Sequence, residues 1–137
     1  MKTPPRTARW NDPATRRDGT RILVCRFRPR ALRKEDETWS EWNRDVAPSK
    51  ELVADFYGKR GPPIAWSEYR KRYLAEMRAP EAKQAVASLA DRAAHGEPMT
   101  LLCSTHCTDP ARCHRTLLAT LIEREMKRRG RAAKRSA

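Results

Sequence analysis

Nowhere does this 137-residue sequence hold an apolar run approaching the roughly 20 residues a helix needs to cross a bilayer, which excludes a helical membrane span. The opening stretch "MKTPPRTARWNDPATRRDG" lacks the apolar segment of an export signal, so the expectation is a soluble, cytoplasmic protein with no membrane partner. Without export, stable disulfides are the least fitting use of the four cysteines, which leaves reduced thiols, metal ligands or a transient redox pair. Internal repeats are absent too, and the length suits one domain able to bury a single core without staples. Ten prolines and 34% charged residues predict polar, ordered connections around a modest core.

Acidic residues are scarce at both ends. Residues 1–21 carry six Lys/Arg against two Asp, and residues 124–137 carry seven against Glu125, so the ends hold +10 of the net +13. The closing "KRRGRAAKRSA" attracts polyanions without sequence discrimination and in a salt-sensitive way. Its expected role is non-specific nucleic-acid contact by a solvated end. The chain therefore divides into a disordered N-terminus (1–5), a single α/β domain (6–127) and a basic disordered tail (128–137).

What is present reads as alternating strands and helices. "RILVCRF" (21–27) and "PMTLLCS" (98–104) are short apolar runs bounded by turn residues, as in strands covered on both faces of a parallel sheet. "RTARW" (6–10) supplies an edge strand. Between the two strong strands, helices are expected at 49–58, opened by Ser49, at 66–78, and at 80–96, opened by Pro80 and closed by Gly96. Trp66, Tyr69, Tyr73 and Met77 form a core stripe on the second of these. The segment 29–49 is irregular and holds Trp39 and Trp42. The fold class is α/β: a single three-layer domain with a small, mainly parallel sheet flanked by helices, in which strands 21–27 and 99–103 are adjacent.

The unusual stretch is "MTLLCSTHCTDPARCHRTLL" (99–118). Within Cys103–His114 lie three of the four cysteines and two of the three histidines. Asp109 and Pro110 have the character of an N-cap and first helical residue, which predicts a helix running through Leu117, Leu118, Leu121, Ile122 and Met126. The cluster then sits at a strand-loop-helix corner, where free helix N–H groups favour anions. Arg112 and Arg115 lie in the first turn, and "RFRPR" adds Arg26, Arg28 and Arg30 from the neighbouring strand's end.

Three uses of the cluster are open. A thiol beside a helix N-terminus and arginines is a nucleophile, with Cys103 and Cys107 best placed and His114 a proton carrier. "CTDPAR" has the C-x4-R length of a rhodanese loop without its glycines, and the phosphatase spacing C-x5-R fails at Cys113. The ligands of C-x3-C-x5-C-H suit zinc or iron, but adjacent side chains on a helix diverge by about 100°, so no metal is the expectation for Cys113 and His114. The third use is packing alone. The reading adopted is a thiol and anion site, in an enzyme on a phosphate-bearing or nucleotide substrate. The alternatives are a nucleic-acid-associated or metal-binding module, with a small anion or a polyanion as partner in either case.

"WNDPATRRDGTRILVCRFRPRALRKED", "EWNRDVAPSKEL", "FYG" and "WSEYRKRYLAEM" together resemble the family of domain of unknown function 488, in its YeaO-like branch, from about Thr7 to Met126. Cys25 and "RPRA" stand where that branch usually has Asp and Trp-Pro-Arg-Gly. The ending "LLC…CHRTLLA" is more similar to the wider family's signature. The resemblance implies a small cytoplasmic α/β protein and marks Cys103, Cys113, His114 and Arg115 as family-like site residues, with Cys107 peculiar to this chain or its relatives. The family lends no settled activity.

Overall fold

The computed structural model describes residues 3–136. Four parallel strands, β1 (Arg6–Arg9), β2 (Thr20–Leu23), β3 (Glu41–Trp42) and β4 (Met99–Cys103), lie in the order β1-β4-β2-β3. The two strong strands are thus neighbours, with Ile22 opposite Leu101 and Leu23 opposite Leu102. β2 ends before residue 27, though Val24 still donates to the Leu102 carbonyl.

Strand alternation sorts the side chains. Ile22, Val24, Met99 and Leu101 join the helices α1 (Lys50–Phe56), α2 (Trp66–Glu76), α3 (Pro80–Ala94) and α4 (His114–Ser136) in one buried cluster. All four helices therefore cover one face. The stripe of α2 faces inward as expected, and the Tyr73 hydroxyl donates to the Val46 carbonyl at 2.7 Å. Ser49 caps α1 by accepting from the Leu52 N–H, and its own N–H donates to Glu76 at the end of α2. Removing a fully buried side chain such as Leu101 costs about 2–5 kcal/mol.

The third layer is irregular chain with 3-10 turns rather than further helices. Leu23, Cys25 and Leu102 pack there beneath Trp10, Trp39 and Trp42. Arg21, buried on that face, ion-pairs with buried Asp18 and donates to the carbonyls of Thr38, Trp10 and Asp12, so one guanidinium ties two loops to the sheet. The "DG" before β2 is a steric requirement. Gly19 has φ 60 and ψ −135, and a Cβ there would collide with the Pro98 carbonyl.

Two differences from the sequence reading concern α4. Asp109 and Pro110 open only a 3-10 turn (Pro110–Arg112), because Cys113 is extended at φ −141, ψ 140, and the helix begins at His114. At its other end the helix passes residue 127 and continues to Ser136. Arg128 and Arg129 pair with Glu125, and Arg129 reaches Asp91 of α3 at 3.0 Å, so ion pairs support the helix at the start of the charge run, as far as Arg129. At the N-terminus Pro5 is buried against the domain. The expectations for residues 1, 2 and 137 lie outside the described residues. No helix among those described is long and apolar enough to cross a membrane.

Candidate functional site

The sheet ends where the cysteines begin. β4 stops at Cys103, and a turn in which the Cys107 N–H donates to the Ser104 carbonyl folds Cys107 back, leaving 3.0 Å between the Cys103 and Cys107 sulfurs. After the 3-10 turn, extended Cys113 points its sulfur toward the same place, and His114 follows as the first residue of α4. The Cys103 and Cys113 sulfurs and a His114 ring nitrogen lie within 4.8 Å of one another. Cys113 and His114 therefore converge: the divergence expected of neighbours on one helix does not arise, because Cys113 is outside the helix.

His114 is held from behind. Its Nε2 lies 2.8 Å from the Val24 carbonyl, which can only accept, so Nε2 carries the proton. Nδ1 then offers its lone pair to Cys103 Sγ at 3.8 Å. Burial disfavours the imidazolium and lowers the His114 pKa against the pull of that carbonyl. All four cysteines are free. Hydrogen bonds from the Cys103 and Cys113 thiols lower the Cys107 pKa despite its partial burial, while donating to Cys107 raises that of Cys103.

These groups floor an open cavity of about 820 Å³. Cys103 and Cys113 are 2% exposed, so Cys107 is the accessible sulfur of the cluster. Cys25 also lines the cavity, with its thiol 3.9 Å from the Leu102 carbonyl.

Arg26, Arg28, Arg30 and Arg112 all line the cavity but stand in different states. Arg26 donates to the carbonyls of Pro48, Arg44 and Ala47, tying the end of β2 to the segment before α1. Arg28 pairs with Glu37 at 2.7 Å and lies over Trp39. Arg30 and Arg112 are exposed, and neither has a carboxylate partner among the described residues. Arg115 is not among the lining residues. It is 4% exposed, with Nε and Nη1 buried and without a hydrogen-bond partner among the described residues, and its charge helps Arg9 keep the Asp12 carboxyl below its ordinary range.

The opposite wall escaped the sequence reading. α1, α2 and the turn between them contribute Phe56, Tyr57, Lys59 and Tyr69, which meet the corner only in three dimensions. Phe27 and Tyr57, 54% and 46% exposed, are the large hydrophobics left open to solvent among the described residues, and both line this cavity. Their signals were present, Phe27 between arginines in "RFRPR" and Tyr57 in "FYG".

A family model described as "Active DUF488-N3 subclade" matches residues 5–126. The uncharacterized protein YeaO of Escherichia coli K12 is 40% identical over 97 residues, covering 71% of this chain and 79% of that protein. The uncharacterized protein Rv3073c of Mycobacterium tuberculosis H37Rv is 33% identical over 105 residues, covering 77% of this chain and 81% of that protein. No solved structure matches the chain. With the matched region spanning the sheet, its helical layer and the cysteine corner, the chain belongs to the DUF488 family, in the subclade DUF488-N3a.

Proposed function

We propose that the protein is a small enzyme that binds an anionic, phosphate-bearing substrate with a planar ring, such as a nucleotide, and acts on it with the cysteine cluster at the cavity floor. The observation that carries this reading is a coincidence of three kinds of group around one cavity. Sulfur and imidazole lie at its floor, the exposed aromatics Phe27 and Tyr57 line it, and Arg30, Lys59 and Arg112 line it with no carboxylate partner among the described residues. Large apolar side chains left in water, and cations without counter-charges, both favour a ligand that supplies what they lack. Rings stack on Phe or Tyr whatever their identity, while a phosphate takes charge-assisted hydrogen bonds from arginine.

Within the cavity Cys107 is the sulfur a substrate meets, and His114 Nδ1, 3.8 Å from the Cys103 sulfur, is a nitrogen acceptor beside the cluster. The arginines hold substrate and do not move protons. The description of the matched subclade as active agrees with a catalytic role.

The test is alkylation by iodoacetamide near neutral pH, read by mass spectrometry at each cysteine. Cys107 should react first and be protected by a nucleoside monophosphate, with Cys25, Cys103 and Cys113 reacting only on unfolding. Reaction of every cysteine at the free-thiol rate, indifferent to the nucleotide, overturns the proposal.

A further inference from the structure

We infer that Cys103, Cys113 and His114 Nδ1 form three ligands of a mononuclear zinc site, with Cys107 as the fourth, cavity-facing ligand. The inference deepens the proposed function and rests on it for one point, that Cys107 faces the substrate.

The donor atoms have the right spacing. Tetrahedral zinc with Zn–S of about 2.3 Å and Zn–N of about 2.0 Å sets neighbouring ligand atoms roughly 3.5–3.8 Å apart. Cys103, Cys113 and His114 offer donor atoms within 4.8 Å of one another, with Cys103 Sγ 3.8 Å from Nδ1. Cys107 lies outside that three-residue group, although its sulfur is 3.0 Å from that of Cys103, so it completes the set by a local shift of its partly exposed turn that opens this distance by less than an ångström and brings the sulfur toward the other ligands. Three thiolates and one imidazole are a standard structural zinc set, and soft sulfur donors disfavour magnesium, calcium and manganese.

The surroundings fit as well. A ligating histidine characteristically donates its other ring N–H to a carbonyl or carboxylate, which fixes the tautomer. His114 does so through Nε2 to Val24, leaving Nδ1 to face the sulfurs. Cys103 ends a central strand and His114 opens a long helix, so two ligands are held by rigid elements. A disulfide between Cys103 and Cys107, whose sulfurs are 3.0 Å apart, would leave Cys113 buried as a lone thiol, whereas one metal ion uses all three. Three thiolates and Zn²⁺ sum to one negative charge beside the N-terminus of α4, where the helix dipole favours it. Bound to zinc, Cys107 is a thiolate with no proton to lose, which suits the sulfur that the proposed function sets before the substrate.

The test uses the full chain, reduced and stripped of metal, titrated with Co²⁺ as a spectroscopic stand-in and then with Zn²⁺. One equivalent of Co²⁺ should give sulfur-to-cobalt charge-transfer absorption and the visible bands of a tetrahedral site, and Zn²⁺ should displace it. Cys25→Ser, outside the set, should leave both unchanged. Cys113→Ser should weaken binding by about 100-fold or more, since loss of even an outer partner costs about 10–100-fold. Cys107→Ser, at the partly exposed position, keeps the fold and should retain a weaker site with about a third less charge-transfer intensity. Absence of tetrahedral Co²⁺ bands in the folded wild type, or a Cys107→Ser spectrum identical to it, overturns the zinc site. Metal failure with Cys107 still protected by nucleotide removes this inference alone. Stoichiometric metal with no nucleotide protection upholds the centre and removes the proposed function.

Discussion

Replacing Phe27 with alanine separates a binding residue from a packing residue, because the two roles carry different free energies. Full burial of a phenylalanine side chain is worth roughly 1.5–3 kcal/mol. Phe27 is 54% exposed, so less than half of that is at stake in folding. The expected loss of stability is about 1 kcal/mol or less, a midpoint shift of about 2–4 °C for a chain of this size. Stacking of one base on an aromatic ring is worth about 1–3 kcal/mol, which converts to an affinity loss of about 5- to 150-fold. Thermal denaturation and titration with a nucleoside monophosphate measure the two on the same preparation. A midpoint drop of more than about 8 °C with unchanged affinity would make Phe27 a core residue and refute the reasoning.

Other expectations follow from the fold. Burial opposes ionisation of Asp18, but the Thr15 N–H, Arg21 and the Thr15 hydroxyl outweigh it and hold its pKa below the ordinary 3.8. A depressed folded-state pKa contributes stability above the unfolded value, which is lost as pH falls through the folded one. Asp18→Asn should therefore cost about 3 kcal/mol at neutral pH, the low end for a broken buried pair because Arg21 keeps three carbonyl acceptors. In urea denaturation that deficit should shrink below about pH 3.8, and a deficit that persists unchanged in acid argues against the pair. Gly19→Ala should lower stability by more than about 1 kcal/mol, since a positive φ and a blocked Cβ position act together, and an unchanged thermal midpoint counts against the backbone argument. Deleting residues 128–137 should abolish salt-sensitive retention on a polyanion column while leaving nucleotide affinity within about twofold; a parallel loss of both would join the tail to the cavity.

Much of the fold was legible because it rests on local pattern. Strands 21–27 and 99–103, the edge strand near residue 6, and the helices opened by Ser49 and Pro80 follow from apolar runs and caps. The two strong strands are adjacent as expected, although the short strand β3, within the segment 29–49 read as irregular, comes between them in sequence. What escaped depends on tertiary contacts or on one residue's backbone. Asp109-Pro110 has the composition of a helix start, yet extended Cys113 interrupts it, and that single conformation turns Cys113 and His114 from divergent to convergent. Arg26 looked like a substrate ligand beside Arg28 and Arg30, but its guanidinium serves backbone carbonyls before α1, a demand invisible in the charge pattern. The start of the basic run is tied to α3 by the Arg129–Asp91 pair, a partner far away in sequence. Phe27, Tyr57 and Lys59 acquire meaning only once the turn after α1 faces the cysteine corner across the cavity.

The most direct measurement of the central claim compares the affinities of a nucleoside monophosphate, its parent nucleoside and inorganic phosphate for the full chain and for an Arg30→Ala/Arg112→Ala variant. The account expects the monophosphate to bind more tightly than either part, because ring and phosphate are held by different walls of one cavity. With charge-assisted hydrogen bonds worth about 1.5–3 kcal/mol each, the monophosphate's margin over the nucleoside should fall at least about tenfold in the variant. Equal affinity for monophosphate and nucleoside in the full chain, or a margin that survives loss of both arginines, would contradict it.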